Sequence, residues 1–194
     1  MTRKLNIGEP TRIFDSYSSL DVPLVRKATV CGLMLIGGTA VQLLAKAYNV
    51  RERRSRSLND LDFMTSYENK HVDNFVSFIK SLGFNEVVTS EFQNSYENKE
   101  DGVDVDILFS YESDVMSHAI KVRGVLVLDP CWQFVQKVQR LIEGFSNKRE
   151  SDTQDLNTLF DIIVERNEIE KLQDLISSEV PDISEEELNS FLQE

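Results

Sequence analysis

The sequence predicts an α+β protein, with strands and helices interleaved in its first part and a C-terminal region that is helical throughout. Three stretches carry that expectation. Leu33–Ile36 is a short apolar run that breaks into Gly37-Gly38 just before a helical period begins. Val103–Phe109 alternates strictly, which is the pattern of a half-buried strand. From Asp129 onward every patterned stretch has helical spacing, and Asp129-Pro130 supplies an N-cap and a first-turn proline. The expected domains are 1–128, with an irregular polar arm at 1–20, and a helical region at 129–194.

In chain order, Asp21-Val22-Pro23 starts a helix that runs to about Val30 and precedes the apolar strand. From Thr39 to Tyr48 the residues Ala40, Val41, Leu43, Leu44 and Ala47 form one broad apolar helix face. Arg51 to Asn59 is a basic loop, and Leu61 to Met64 is the next strand. Val72, Phe75, Val76, Ile79 and Leu82 mark a helix stopped by Gly83. Phe84 to Ser90 reads as a strand, Asn94 to Gly102 as a polar turn region, and Ile120 to Leu128 as a strand or hairpin about Gly124. The helix after Pro130 is expected to bury Trp132, Val135, Val138, Leu141, Ile142 and Phe145. Two further helices carry Leu156, Leu159, Phe160 and Ile163, then Ile169, Leu172, Leu175 and Ile176. Ser184 and Glu187 form a capping box for a short last helix.

Charge and composition narrow the function. The net charge of the 194 residues is −12, and the fourteen acidic and two basic residues from Glu150 onward account for all of it. An acidic chain is a poor nonspecific binder of nucleic acid. The remainder is balanced, with one basic run of Lys46, Arg51, Arg53, Arg54 and Arg56. No apolar stretch approaches the length of a membrane span, and the N-terminus lacks the apolar core of a secretion signal, so the expected setting is the cytoplasm with no membrane partner. Cys31 and Cys131 fit reduced, buried thiols. His71 and His118 have no Cys or His at ligand spacing, which speaks against zinc.

The chemistry concentrates between Gly37 and Asp106. A Gly-Gly turn from strand into helix can aim backbone N–H groups and the positive helix end at a phosphate. Asp60 and Asp62 project from one face of an extended segment, and Asp106, on the alternating strand between buried neighbours, can lie beside them. Carboxylates from two strands are hard-oxygen ligands for Mg²⁺ or Mn²⁺, and two-metal sites hold ions roughly 4 Å apart. Asp104 shares a face with Asp106 and is either a helper ligand or a solvated neighbour. Taken alone, Lys137 is a lysine whose stem covers Val135 and Val138 while its head reaches water, and Asp152 and Asp155 are helix-start carboxylates.

The order Gly-Gly-Thr, Asp-x-Asp, later lone Asp resembles the nucleotidyltransferase superfamily, of polymerase-β-like fold, over residues 30–110. Leu35-Ile36-Gly37-Gly38-Thr39-Ala40-Val41, Arg56, and Asn59-Asp60-Leu61-Asp62-Phe63 are similar to the AbiEii-type members, the toxins of abortive-infection and type IV toxin–antitoxin systems. So are the stretch from Asp129 to Lys137 and Lys148-Arg149 followed by Asp152 and Asp155. The match departs at Leu58, where that family has Ser or Thr, and no His precedes Arg56.

The resemblance implies a nucleotidyltransferase-like mixed sheet with flanking helices, and a Mg²⁺- or Mn²⁺-dependent transferase that moves NMP from an NTP to a hydroxyl of tRNA or a protein. It implies Asp60, Asp62 and Asp106 as metal ligands, Gly37, Gly38 and Thr39 at the phosphates, and Lys137 and Arg56 neutralising developing charge. Asp152 and Asp155 become nucleotide contacts through this resemblance alone. A cognate antitoxin is the implied protein partner. The basic run favours a polyanionic acceptor. A small-molecule, antibiotic-type transferase and a catalytically silent binding module are the alternatives.

Overall fold

In a computed structural model, residues 21–53, 60–112, 114–144 and 149–192 are described. They fall into two units. The first comprises the described residues of 1–35 and 57–127, the second those of 36–56 and 128–194.

The first unit is built on a mixed sheet. Its seven strands are β1 (Met34–Ile36), β2 (Asp60–Ser66), β3 (Asn85–Thr89), β4 (Gln93–Asn98), β5 (Val103–Ser110), β6 (Ala119–Val122) and β7 (Val125–Leu128). They run β3-β4-β5-β2-β1-β7-β6 across the sheet. β2 pairs with β5 and β1 with β7 in parallel, whereas β3, β4 and β5 are antiparallel. Helices α1 (Asp21–Val30) and α3 (Val72–Ser81) pack on one another. The alternation in β2 and β5 now has its cause. Leu61, Phe63, Thr65, Val103, Val105 and Ile107 are buried on one face, where Phe63 meets Phe75 of α3 edge-on at 5.4 Å. Gly83 closes α3 as expected, since its φ of +89° allows Gly83 N and Phe84 N to reach the last-turn carbonyls of Lys80 and Ile79. β6 and β7 are joined through Arg123 and Gly124, both at positive φ, the geometry of a tight hairpin turn.

β4 lies where the sequence suggests only a polar turn. Its sheet-facing residues toward the core are Tyr96 and Asn98, 2% and 5% exposed. Asn98 is buried because it is satisfied. Its amide donates to Leu82 O at 3.1 Å, and its carbonyl accepts from the Glu100 and Asp101 amides. A strand with Asn at a core position carries no apolar alternation to detect.

The second unit is helical: α2 (Gly37–Tyr48), α4 (Pro130–Ile142), α5 (Arg149–Glu165), α6 (Ile169–Glu179) and α7 (Glu185–Leu192). α2 packs on α5 and α4, α4 also on α5 and α6, and α7 on α5. The Asp129 side chain caps α4 by accepting from Cys131 N at 2.9 Å. The face of α4 differs from expectation. Phe134, Val135 and Val138 are buried, but so are Gln133 and Lys137, while Trp132 is half-buried and Ile142 is 48% exposed. Polar groups with partners hold those inward positions: Gln133 donates to Leu128 O at 2.7 Å. Phe145 lies outside the described residues. In α5, Ile162 is buried and Phe160 only half-buried, and α6 buries Leu172 alone. The capping box forms, with Ser184 and Glu187 exchanging hydrogen bonds at 3.1 and 3.2 Å. Among the described residues no helix is long and apolar enough to cross a membrane.

Candidate active site

The parallel register places Asp60 opposite Asp104 and Asp62 opposite Asp106. Residues two apart on a strand, and residues paired across a ladder, share a face, so these four carboxylates form a quartet on the face opposite the Phe63 core. The antiparallel neighbour extends it. β4 sets Ser95 against Asp106 and Glu97 against Asp104. Glu97 is thus a fifth acid of the same face, and Lys99 lies 3.0 Å from its carboxylate. The sequence hides Glu97 because the strand that orients it is itself hidden.

The electrostatics of the quartet are those of clustered like charges. Burial first, then Asp60, Glu97 and Asp106, push the Asp104 carboxyl above its ordinary range. The folded state therefore holds this proton more tightly than the unfolded chain does. The stability it contributes is present at low pH and is lost as pH rises from the ordinary carboxylate range through the raised value. Melting temperature followed against pH should fall less over that window in Asp104→Asn than in the wild type. Negative potential from several hard-oxygen donors is also what a divalent cation offsets, so the donor set fits Mg²⁺ or Mn²⁺.

The remaining site residues lie in the second unit. Gly37 follows β1 directly and opens α2 with φ +70°, a conformation that glycine adopts without strain. Ile36 at the N-cap has no polar side chain, and the first turn of α2 carries no acidic residue of its own. Thr39 is buried one turn in. Arg56 lies outside the described residues.

Lys137 is not the surface lysine that its neighbours in sequence suggest. It is 6% exposed, and its ammonium sits between Asp152 Oδ1 and Asp155 Oδ2, each at 2.9 Å. Both carboxylates are buried, and Arg140 stands 4.0 Å from Asp152. Two acids three residues apart near the start of α5 face the same way, which is why one lysine from α4 meets both. Asp155 also helps raise the Glu52 carboxyl, after burial and against the lowering effect of Lys46.

Among the described residues, the group of three whose ligand atoms lie within 4.8 Å of one another is Asp129, Cys131 and Glu168, not the strand carboxylates. Its charges are already matched. Asp129 accepts from Lys171 at 2.8 Å, and Arg166 makes two bonds to Glu168, at 2.6 and 2.8 Å. Burial, then Asp129, pushes the Cys131 thiol up to about 12, away from the thiolate a metal requires. This is an ion-pair network tying α4 to α6, not a cation site.

The architecture is shared with several solved structures. The antibiotic-resistance factor ANT(2'')-Ia superposes with a TM-score of 0.55 at 12% identity, over 84% of this chain and 94% of that one. JHP933 from Helicobacter pylori gives 0.53 at 14% identity, over 95% and 90%. The Megavirus polyadenylate synthase gives 0.53 at 14% identity over 72% of this chain, which spans only 29% of the viral protein. No protein-family model and no curated protein sequence matches the chain. The class defined is therefore a nucleotidyltransferase-like fold: a seven-stranded mixed sheet with flanking helices.

Proposed function

We propose that the chain is a metal-dependent nucleotidyltransferase that moves a nucleoside monophosphate from an NTP to a hydroxyl of tRNA or of a protein in the cytoplasm. The observation that supports this most is the in-register carboxylate quartet on β2 and β5, in a fold that a polyadenylate synthase shares. Asp60, Asp62 and Asp106 would hold Mg²⁺ or Mn²⁺. Bound there, the ion supplies charge stabilisation at phosphoryl oxygens and a lowered pKa at the acceptor hydroxyl.

The chain's own groups do the rest. The opening amides of α2 at Gly37 and Gly38, with the Thr39 hydroxyl, bind the β- and γ-phosphates. Arg56 and Lys137 neutralise charge as the acceptor oxygen bonds to the α-phosphorus, the bond to the bridging oxygen breaks and pyrophosphate leaves. For Lys137 this role requires sharing its ammonium with Asp152 and Asp155, which fix its position. The finer reading, an AbiEii-like toxin restrained by an antitoxin, is supported by the motif resemblance.

A second reading has an observation in its favour. Glu97 and Asp104 add two acids beside the three ligands, and such a rim suits a cationic small-molecule acceptor. An antibiotic-resistance factor also shares the fold.

The test is incubation of the full chain with each α-labelled NTP and Mg²⁺, offering total tRNA, cell lysate or a panel of polycationic antibiotics. Label in tRNA or protein is the expected result. Label only in an antibiotic favours the second reading, and no label with any NTP leaves a binding module.

A further inference from the structure

Two adjacent strands of the first unit end in the same tripeptide. Ser66-Tyr67-Glu68 closes β2 and Ser110-Tyr111-Glu112 closes β5, with Ser66 paired to Ser110 in the parallel ladder. Each serine hydroxyl accepts from the backbone N–H of its own glutamate, Ser66 at 3.3 Å and Ser110 at 3.1 Å, so both ends turn alike. Tyr67 N donates to Ser110 O at 2.9 Å and locks the ends together. The third member comes from the β3–β4 turn, where Ser90 Oγ accepts from Phe92 N at 3.3 Å and Phe92 O accepts from Phe109 N at 2.9 Å.

This backbone presents an aromatic platform. Tyr67 and Tyr111 stack at 4.7 Å and 21°, Phe92 meets Tyr111 edge-on at 5.7 Å, and Phe109 meets Tyr67 edge-on at 6.4 Å. Tyr67, Phe92 and Tyr111 are nevertheless 55%, 60% and 52% exposed. Three ordered rings held open to solvent cost apolar exposure that folding ordinarily removes. The rim is acidic. Glu68 and Glu112 directly follow Tyr67 and Tyr111, Glu91 precedes Phe92, and all three, with Asp114, are exposed. Glu91 accepts the Tyr111 hydroxyl at 2.7 Å.

We infer that this platform docks an arginine-bearing segment of a protein partner, with guanidinium groups lying over the exposed ring faces and their charge against Glu68, Glu91 and Glu112. A planar, weakly hydrated guanidinium stacks on aromatic faces and forks to carboxylates, and no other side chain does both. Exposed Tyr and Phe with complementary charge at the rim are the composition of an interface hot spot. Phosphate backbones are repelled by the same carboxylates, which sets nucleic acid aside although the rings could stack on bases. A second copy is disfavoured by a net charge of −12 on each chain. The surface stands apart from the transfer reading, since none of its residues is a proposed metal ligand or phosphate contact.

The test uses the full chain with ¹³C-labelled Tyr and Phe rings, observed by NMR at physiological salt. The probe is a blocked Gly-Arg-Gly-Arg-Gly peptide, with its citrulline counterpart and a short oligothymidylate as comparisons. The Tyr67, Phe92 and Tyr111 resonances should shift saturably with the arginine peptide and not with the citrulline one. Binding should weaken about tenfold in Tyr67→Ala/Tyr111→Ala and in Glu68→Gln/Glu112→Gln. It should persist in Tyr67→Phe, which keeps the stack if an alanine variant fails to fold, and in Glu185→Gln/Glu186→Gln on α7. Four results would each overturn the inference: no saturable shift, an equal response to citrulline, ring shifts produced by oligothymidylate, or ring shifts on raising protein concentration alone.

Discussion

Asp62→Asn should lower label transfer from NTP about a thousandfold or more. The substitution keeps volume and hydrogen-bonding capacity and removes the charge that, on the proposed reading, would hold the metal. Asp62 is central to the quartet, paired directly with Asp106 and two residues from Asp60. The fold is expected to survive, because one fewer carboxylate relieves repulsion among like charges. Melting temperature without added metal should hold or rise slightly, whereas a mutation that merely unfolds the sheet would lower it. Transfer and melting curves measured on the same preparations separate the two. Transfer left intact in Asp62→Asn would remove the metal-ligand role from this face.

Lys137→Met should destabilise the chain by about 3 kcal/mol, read from denaturant unfolding. Lys137 stands between two carboxylates that are themselves buried, at 2.9 Å from each. Removing the ammonium leaves two desolvated negative charges facing each other. The lower end of the usual range applies because Arg140 remains 4.0 Å from Asp152. The family resemblance alone implies weaker NTP binding in this variant, and the burial of Lys137 adds a cost in stability. Combining Lys137→Met with Asp152→Asn and Asp155→Asn removes all three charges and should recover much of the loss. A variant as stable as wild type would show that the triad is not a structural ion cluster. If the triple variant refolds yet fails to bind NTP, the triad's contribution to the nucleotide is isolated from its contribution to stability.

The legible parts of the molecule are those where apolar periodicity and a local stop signal coincide. The β1–Gly37–α2 junction, the alternation of β5, the Asp129 cap of α4 and the Gly83 stop of α3 all stand in the structure. β2 proves longer than its apolar residues indicate because Asp60 and Ser66 extend it on the polar face. What periodicity cannot show is a polar side chain that is buried because it has a partner. Asn98 hides β4 and with it Glu97, while Gln133 and Lys137 turn the buried face of α4 away from Trp132 and Ile142. In each case the partner lies far along the chain or in backbone, where a window of neighbouring residues holds no trace of it. The acidic candidate residues are legible for a different reason. Their spacing reports a strand face, and strand faces are read over two or three residues.

The in-register acids bear on how the chain acquires its structure. α3, β3 and β4 lie between β2 and β5 in sequence, and contacts of that range are slow to close. Here the late contact also brings Asp60 up to Asp104 and Asp62 up to Asp106. With that ladder present in the transition state, the repulsion falls on the folding arm of the chevron rather than on the unfolding arm. Ionic strength and divalent cations then set how fast the centre of the sheet zips, through screening and neutralisation of that seam. A seam of like charges slows folding to the extent that it has formed by the transition state.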